Sequence, residues 1–143
     1  MDKESLFGTW KLVSAESTNS SGEKDATPYG VSPSGLLTYT PDGRVTALIS
    51  YGGRKPLSPG ASPQEKADAF NSFIAYAGKY LLDGERVVHH VEVASIQNYA
   101  NRDLVRTIRV EGDRIILTTP PTPVNGKVQT VELVWQRIPG GSQ

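Results

Sequence analysis

The sequence predicts a mainly β fold, an antiparallel up-and-down barrel of about eight strands with one inserted α-helix. Apolar and polar residues alternate with a period of two along most of the 143 residues, and glycine-containing turn sequences separate the alternating segments. The 14 glycines and 10 prolines fit a chain with many short turns. We expect residues 1–143 to form one domain, with a flexible tail at residues 139–143.

Eight segments have the alternation of strands: residues 7–17, 36–40, 44–51, 79–82, 86–96, 104–111, 114–119 and 127–138. Turn sequences such as Asp42-Gly43, Asp83-Gly84 and Asn125-Gly126 join neighbours, because glycine accepts the positive φ of tight hairpins. A meander of this many strands can close into a barrel, whose interior has room for one small ligand.

One segment, residues 63–77, has helical spacing. Ser62 is the predicted N-cap, Pro63 the first helical residue and Glu65 the acidic partner of a capping box. Apolar residues at helical spacing form a stripe along one face of this helix: Ala67, Phe70, Phe73, Ile74 and Ala77. We expect the stripe to pack on the sheet, a position from which the helix could also cover a pocket.

The composition excludes several classes of function. Fifteen basic and 15 acidic residues give zero net charge, which argues against a nucleic-acid or membrane-surface partner. With no cysteine and two adjacent histidines, no metal site is expected, and no sequence motif for a cofactor occurs. The amino terminus lacks a signal-peptide pattern and no apolar run is long enough to span a membrane, so we expect a cytoplasmic protein. The sequence is compatible with a homodimer.

Motifs at both ends and in the middle of the chain carry a family resemblance. The chain begins its first strand with Gly8-Thr9-Trp10 and has Arg137 on its last. Between them lie GLLTYTPDGR (35–44), YAGKY (76–80), HHVEV (89–93), Arg106 and GDRIIL (112–117). Together these motifs resemble the small lipocalin-like domain family of bacteria and fungi over residues 6–138.

The resemblance implies a barrel whose bottom is closed by Arg137 stacked across Trp10. Trp135 and Arg137 are then on the inner face and Glu132 is solvated. The resemblance also implies a place in natural-product pathways, where related small barrels include cyclases and isomerases. The loop 96–101 departs from the family pattern.

His89 and His90 are adjacent on one strand and therefore face opposite sides of the sheet. His89 shares a face with Val87, Val91 and Val93. An apolar lumen would hold His89, whereas a polar lumen would hold His90 beside Glu92, the pairing expected of a general acid–base. We therefore treat His89, His90 and Glu92 as candidate catalytic residues, and a structural or exposed histidine as the alternative.

Arg106 is the strongest candidate, because it alternates in phase with Leu104 and Ile108 on an otherwise apolar face. A guanidinium there is costly unless it is paired. It would anchor a carboxylate, enolate or carbonyl oxygen of a ligand. The alternatives are an internal ion pair with Glu92, Asp103 or Glu132, or a side chain that extends along the apolar surface to place its charge in solvent.

Aromatic and amide side chains supply the candidate ligand contacts. A phenol can contact a flat ligand and donate a hydrogen bond to an oxyanion. Most tyrosines are expected to serve in packing, with one or two lining a pocket. The candidates are Tyr39, Tyr51, Tyr80, Tyr99, Asn98 and Phe70.

Three hypotheses for function follow. The first is a cofactor-independent isomerase or cyclase that acts on a hydrophobic small molecule bound in the barrel, in secondary metabolism. The second is a non-catalytic carrier of such a molecule. The third is an interaction module with a filled barrel.

Overall fold

The computed structural model describes residues 1–124 and 126–140. Within them lie one α-helix, α1 (Pro63–Asn71), and 3₁₀ turns at Lys3–Leu6 and Gln97–Tyr99. The strands are β1 (Gly8–Asn19), β2 (Lys24–Asp25), β3 (Ser34–Tyr39), β4 (Arg44–Ser50), β5 (Phe73–Asp83), β6 (Arg86–Ala94), β7 (Asp103–Glu111), β8 (Arg114–Thr118), β9 (Thr122–Val124) and β10 (Lys127–Arg137). Residue 125 of the predicted Asn125-Gly126 turn and residues 141–143 of the predicted tail lie outside the described residues.

Eight of the strands form a closed antiparallel barrel, as the sequence predicts. Their order is β1-β3-β4-β5-β6-β7-β8-β10, and β10 pairs back onto β1 from Trp10 opposite Arg137 to Asn19 opposite Gln129. The short strands β2 and β9 flank β1 and β10. Closure gives each barrel strand two neighbours, and it encloses an interior whose chemistry depends on the inward-facing side chains.

The predicted helix starts where expected but is too long. Ser62 Oγ accepts from the Glu65 amide, while the Glu65 carboxylate accepts from the Ser62 amide, which confirms the capping box. The helix ends at Asn71 rather than at residue 77, because Phe73–Asp83 forms β5 and pairs along its length with β4 and β6. Those two ladders satisfy the backbone groups that a longer helix would otherwise have bonded internally.

The predicted packing of an apolar helix stripe against the sheet is also wrong. No residue of α1 is buried, and Phe70 is 47% exposed. Ile74 and Tyr76 instead alternate along β5 and pack against the core of the barrel.

Two irregularities in strand pairing change which side chains face inward. In β1 the register shifts between Leu12 and Ser14, so that Ala15 is buried and Ser14 is exposed. In β6 the extra residue is Glu92, because Ala77 pairs with Val93 and Gly78 with Val91. Val93 is therefore exposed, and the prediction that it shares the buried face of His89 is wrong.

The bottom of the barrel is closed in the way that the resemblance implies. The Arg137 guanidinium lies 4.2 Å from the centroid of the buried Trp10 ring. It donates to the carbonyl oxygens of Phe7 (2.6 Å) and Ser5. Trp10 Nε1 donates to the carbonyl of Leu6, which is fully buried at this end. The tryptophan and the arginine therefore hold the first 3₁₀ turn across the barrel.

We predict that Arg137→Ala lowers the free energy of unfolding by about 2–4 kcal/mol, because it removes the stacking and both hydrogen bonds. Urea denaturation measures this change. Arg109→Ala serves as the control, because Arg109 is an exposed arginine whose loss should change stability little. Equal effects of the two substitutions would contradict the proposed role of Arg137.

We predict that Gly78→Ala lowers the free energy of unfolding by at least about 2 kcal/mol. A Cβ at Gly78 would lie 1.9 Å from the His90 carbonyl oxygen at the irregularity in β6, so the two strands would have to separate. Gly60→Ala is the matched control, because no atom lies within 4 Å of a Cβ there. Thermal unfolding of both variants tests the prediction, which fails if Gly78→Ala is as stable as Gly60→Ala.

Candidate functional site

A cavity of about 70 Å³ lies inside the barrel. Its apolar wall consists of Leu37, Ala47, Ile49, Ile74, Leu117 and Leu133. Seven polar or aromatic side chains complete the wall: Tyr29, Tyr76, His89, Tyr99, Arg106, Thr119 and Trp135. A mainly apolar wall with a few polar groups is typical of small-molecule sites.

The imidazole of His89 is the centre of the polar groups. It is 1% exposed and lies between two phenols that come from two other strands of the barrel. Tyr39 Oη is 2.7 Å from Nε2, and Tyr76 Oη is 2.6 Å from Nδ1. Strands β3, β5 and β6 each contribute one of these three side chains. Because each ring nitrogen has a phenol as its hydrogen-bond partner, both are satisfied without water.

Burial sets the protonation states of this group. Burial, with a smaller contribution from the Arg106 charge, lowers the pKa of His89 from 6.5 to about 3. Burial raises the pKa of Tyr76 to about 12 and that of Tyr39 well above its usual range, although Arg106 opposes both shifts. The imidazole is therefore neutral and both phenols are protonated at neutral pH.

Arg106 brings a positive charge to the cavity wall. It is half-buried on β7, and its Nη1 donates to the Val105 carbonyl at 3.0 Å. Among residues 1–124 and 126–140, no carboxylate lies within ion-pair distance of it. Most of the guanidinium N–H groups therefore have no side-chain acceptor in the described part of the chain.

The carboxylates that could have neutralised Arg106 bind other groups. Glu92 is paired with Arg44, and Asp103 Oδ1 is 2.7 Å from His90 Nδ1. Glu132 lies 3.9 Å from Arg109. The internal ion pair that the sequence left open for Arg106 is therefore absent within the described residues.

The two histidines separate as their adjacent positions require. His89 faces the cavity, whereas His90 is exposed and contacts Asp103. Glu92 pairs with Arg44 on the outer surface. The structure thus brings His89 and Arg106 together in the cavity, and it places His90 and Glu92 outside it.

The structure places some of the predicted ligand contacts at the cavity and others away from it. Tyr99 lines the cavity from the Gln97–Tyr99 turn, and Tyr39 contacts it through His89. Tyr51 is half-buried, and its ring centroid lies 5.0 Å from that of Tyr29, with the two rings tilted by 36°. Like Tyr39 and Tyr51, the three remaining candidates are not part of the cavity wall: Tyr80, whose hydroxyl donates to the Thr40 carbonyl, and the exposed Asn98 and Phe70.

Three aromatic residues of the wall were not among the sequence candidates. Tyr76 was assigned to the helix, although its alternation with Ile74 and Tyr80 is that of a strand. Tyr29 comes from the loop before β3, which has no periodic pattern that could place it. Trp135 was expected in the core, where it lies at 2% exposure, but its indole nitrogen Nε1 has no hydrogen-bond partner among the described residues.

A larger depression of about 690 Å³ lies outside the barrel, between residues 52–57 and α1. Its wall is formed by half-buried and exposed residues, and Arg54 spans it to donate to Ser72 Oγ and the Ala69 carbonyl at the end of α1. The polar contacts in this depression therefore serve to satisfy groups at the C-terminal end of α1. The buried polar groups lie in the smaller cavity.

Within the described ranges, no three side chains of the metal-binding types come together in one place. Of the described helices, none has the length and the apolar character that crossing a bilayer requires.

A comparison with protein families agrees with this geometry. The model of the family described as the lipocalin-like domain matches residues 7–138. The chain belongs to the lipocalin-like domain family. The closed barrel and the mainly apolar cavity of this lipocalin-like domain support the binding of a small hydrophobic molecule.

One curated relative of this lipocalin-like domain is a fungal protein. The 4'-hydroxy-3'-methoxypropiophenone carrier protein of Aspergillus oryzae is 28% identical over 85 residues. The alignment covers 53% of this chain and 77% of the relative.

We predict that His89 makes the lipocalin-like domain less stable in acid. Between pH 3 and 6.5 the unfolded chain binds a proton at His89 that the folded protein does not. The free energy of unfolding should therefore fall as the pH decreases from 6.5, by up to about 1.4 kcal/mol per pH unit, and this contribution should be constant above 6.5.

Urea titrations from pH 4.5 to 7.5 of the wild type, His89→Gln and the matched control His90→Gln measure this dependence. We expect the pH slope to decrease in His89→Gln, because glutamine has no titratable group, and to persist in His90→Gln. Unchanged slopes in both variants would show that His89 is not held neutral.

Proposed function

We propose that this lipocalin-like domain is a non-catalytic carrier that holds a small hydrophobic molecule in the barrel cavity, with Arg106 as its polar anchor. The observation that carries the proposal is a half-buried guanidinium in a mainly apolar cavity, without a carboxylate partner among the described residues. An unpaired charge in such a place costs folding free energy, and a ligand oxygen would compensate for it.

The protonation states in the cavity favour holding a molecule over transferring protons. A general base works best with a pKa near the working pH, and the pKa of His89 is about 3. The pKa values of Tyr29 and Tyr76 are both about 12. His90 and Glu92, the other candidate acid–base pair, are on the outer surface.

The relative from Aspergillus oryzae supports the same proposal. That protein is a carrier, and its ligand is an aryl ketone with a phenol and a methoxy group. An aryl ketone has the two properties that this cavity calls for, an aromatic ring for the wall of tyrosines and aliphatic residues and an oxygen for Arg106.

Binding such a molecule requires the cavity to expand. Its volume of about 70 Å³ is less than half of the roughly 150 Å³ that holds a benzene ring in an engineered cavity. Tyr99 and Arg106 are half-buried wall residues, and Tyr99 belongs to a short turn rather than to a barrel strand. We propose that these two side chains move outward when the ligand enters.

The second candidate is a cofactor-independent isomerase or cyclase in secondary metabolism. Arg106 and Tyr76 favour it, because a cation and a phenol near one carbonyl could stabilise an enolate, and a closed cavity could hold a flexible substrate in its reactive shape. This candidate requires that the bound molecule leave the cavity chemically changed.

We predict that the wild type binds 4'-hydroxy-3'-methoxypropiophenone with a stoichiometry of one, and that Arg106→Met weakens binding by about tenfold or more, because a charge-assisted hydrogen bond is lost. Titration calorimetry measures both affinities. Arg109→Met is the matched control, since Arg109 is on the same strand and is exposed.

Two further readouts separate the candidates. Because Arg106 has no carboxylate partner within the described residues, Arg106→Met should keep or raise the melting temperature while it weakens binding. Mass spectrometry of the ligand after incubation should recover it unchanged. Conversion by the wild type that Arg106→Met abolishes would establish the second candidate, and an equal affinity of all three proteins would contradict the role of Arg106.

A further inference from the structure

Resting on the proposed function, we infer that the cavity selects ligands by an acceptor oxygen, because the Tyr39–His89–Tyr76 chain of hydrogen bonds leaves the Tyr76 hydroxyl hydrogen free to bond a ligand. The cavity atoms that can donate a hydrogen bond, and those that can accept one, determine which chemical class of ligand fits.

The three side chains share a fixed number of hydrogens. A neutral imidazole has one N–H and one acceptor nitrogen, and each phenol has one O–H. Both ring nitrogens of His89 are bonded to a phenol oxygen. One phenol therefore donates to the ring and the other accepts from it, and the accepting phenol has a hydroxyl hydrogen left over.

The surroundings of the two phenols decide which one keeps the spare hydrogen. Tyr39 is 0% exposed, is absent from the cavity wall, and has no hydrogen-bond partner other than His89 within the described residues. Tyr76 is half-buried and is part of the wall. If Tyr39 were the acceptor, its spare hydrogen would be buried without a partner, which is unfavourable.

The favoured arrangement is therefore the one in which Tyr39 donates to Nε2 and the Nδ1–H of His89 donates to Tyr76. In this tautomer every hydrogen of the three groups is bonded except the hydroxyl hydrogen of Tyr76. Burial keeps the imidazole neutral, so a doubly protonated ring does not compete. His89 thus acts as a positioning residue, and Tyr76 is the group that contacts the ligand.

Two other wall residues are donors without acceptor atoms in their side chains. The indole nitrogen of Trp135 is buried and has no partner among the described residues. The guanidinium of Arg106 can only donate. No carboxylate or side-chain amide is among the residues of the wall. An acceptor oxygen would satisfy groups that an aliphatic molecule leaves unpaired, and Arg106 disfavours a cationic ligand.

The experiment compares aromatic probes that carry no, one or two acceptor oxygens. Acetophenone carries a carbonyl, ethylbenzene has nearly the same shape without it, and benzoate replaces the ketone by a carboxylate. We expect the wild type to bind acetophenone or benzoate at least about tenfold more tightly than ethylbenzene. In Tyr76→Phe this preference should fall by about fivefold.

Tyr80→Phe is the matched control, because it removes a hydroxyl that donates to the Thr40 carbonyl and lies outside the cavity wall. Its preference for the oxygen-bearing probes should equal that of the wild type. The Trp135 indole N–H resonance should move further downfield with acetophenone than with ethylbenzene, because only the ketone oxygen can accept a hydrogen bond from it.

The tautomer is measured without any ligand. Nitrogen NMR of the ¹⁵N-labelled wild type should show a protonated Nδ1 and an unprotonated Nε2 at His89, so this test stays valid even if Tyr76→Phe does not fold. A protonated Nε2 would overturn the inference.

The binding outcomes separate this inference from the function on which it rests. Equal affinities for acetophenone, benzoate and ethylbenzene would overturn the inference and leave a carrier of apolar molecules. Saturable binding of none of the probes would contradict the carrier function itself. A preference that is the same in Tyr76→Phe and the wild type would assign the recognition to other donors and overturn the role of Tyr76.

Discussion

A buried imidazole held between two phenols is the constraint on which the interior of this barrel depends. His89 is almost inaccessible, and each of its nitrogens needs a partner because an unsatisfied buried polar group is costly. Tyr39 and Tyr76 supply those partners from β3 and β5, so the chemistry of the cavity requires that three strands keep their register. The same burial keeps His89 neutral and both tyrosines protonated, which gives the cavity groups that bond a ligand without titrating.

Arg106 is the exception to this neutral interior. The carboxylates that could neutralise it are paired with Arg44, His90 and Arg109, so the described part of the chain leaves it a free charge at the cavity wall. Proteins keep such unfavourable groups where a bound partner compensates for them. Together with donor groups at Tyr76 and Trp135, this charge makes the cavity complementary to an oxygen-bearing hydrophobic molecule and explains why binding accounts for the site better than proton transfer.

The fold could be predicted from the sequence because alternation and turn residues are local, and the stacking of Arg137 on Trp10 involves residue types with a family precedent. The site was harder to predict. Phe70 and Ile74 have helical spacing by coincidence, and only pairing with β4 and β6 places Ile74 and Tyr76 in a strand. One residue of offset decides whether His89 or His90 faces inward, and the extra residue Glu92 changes the phase beyond it. Arg106 was found because a charge on an apolar face is visible in the sequence.

The proposed binding site is the barrel cavity and not a surface depression. A crystal structure of the wild type with acetophenone bound distinguishes these two places. We expect the aromatic ring among Leu37, Ile74 and Leu133, the carbonyl oxygen within hydrogen-bond distance of Tyr76, and Tyr99 and Arg106 displaced outward. A ligand bound in the depression between residues 52–57 and α1, with the barrel interior unchanged, would contradict this proposal.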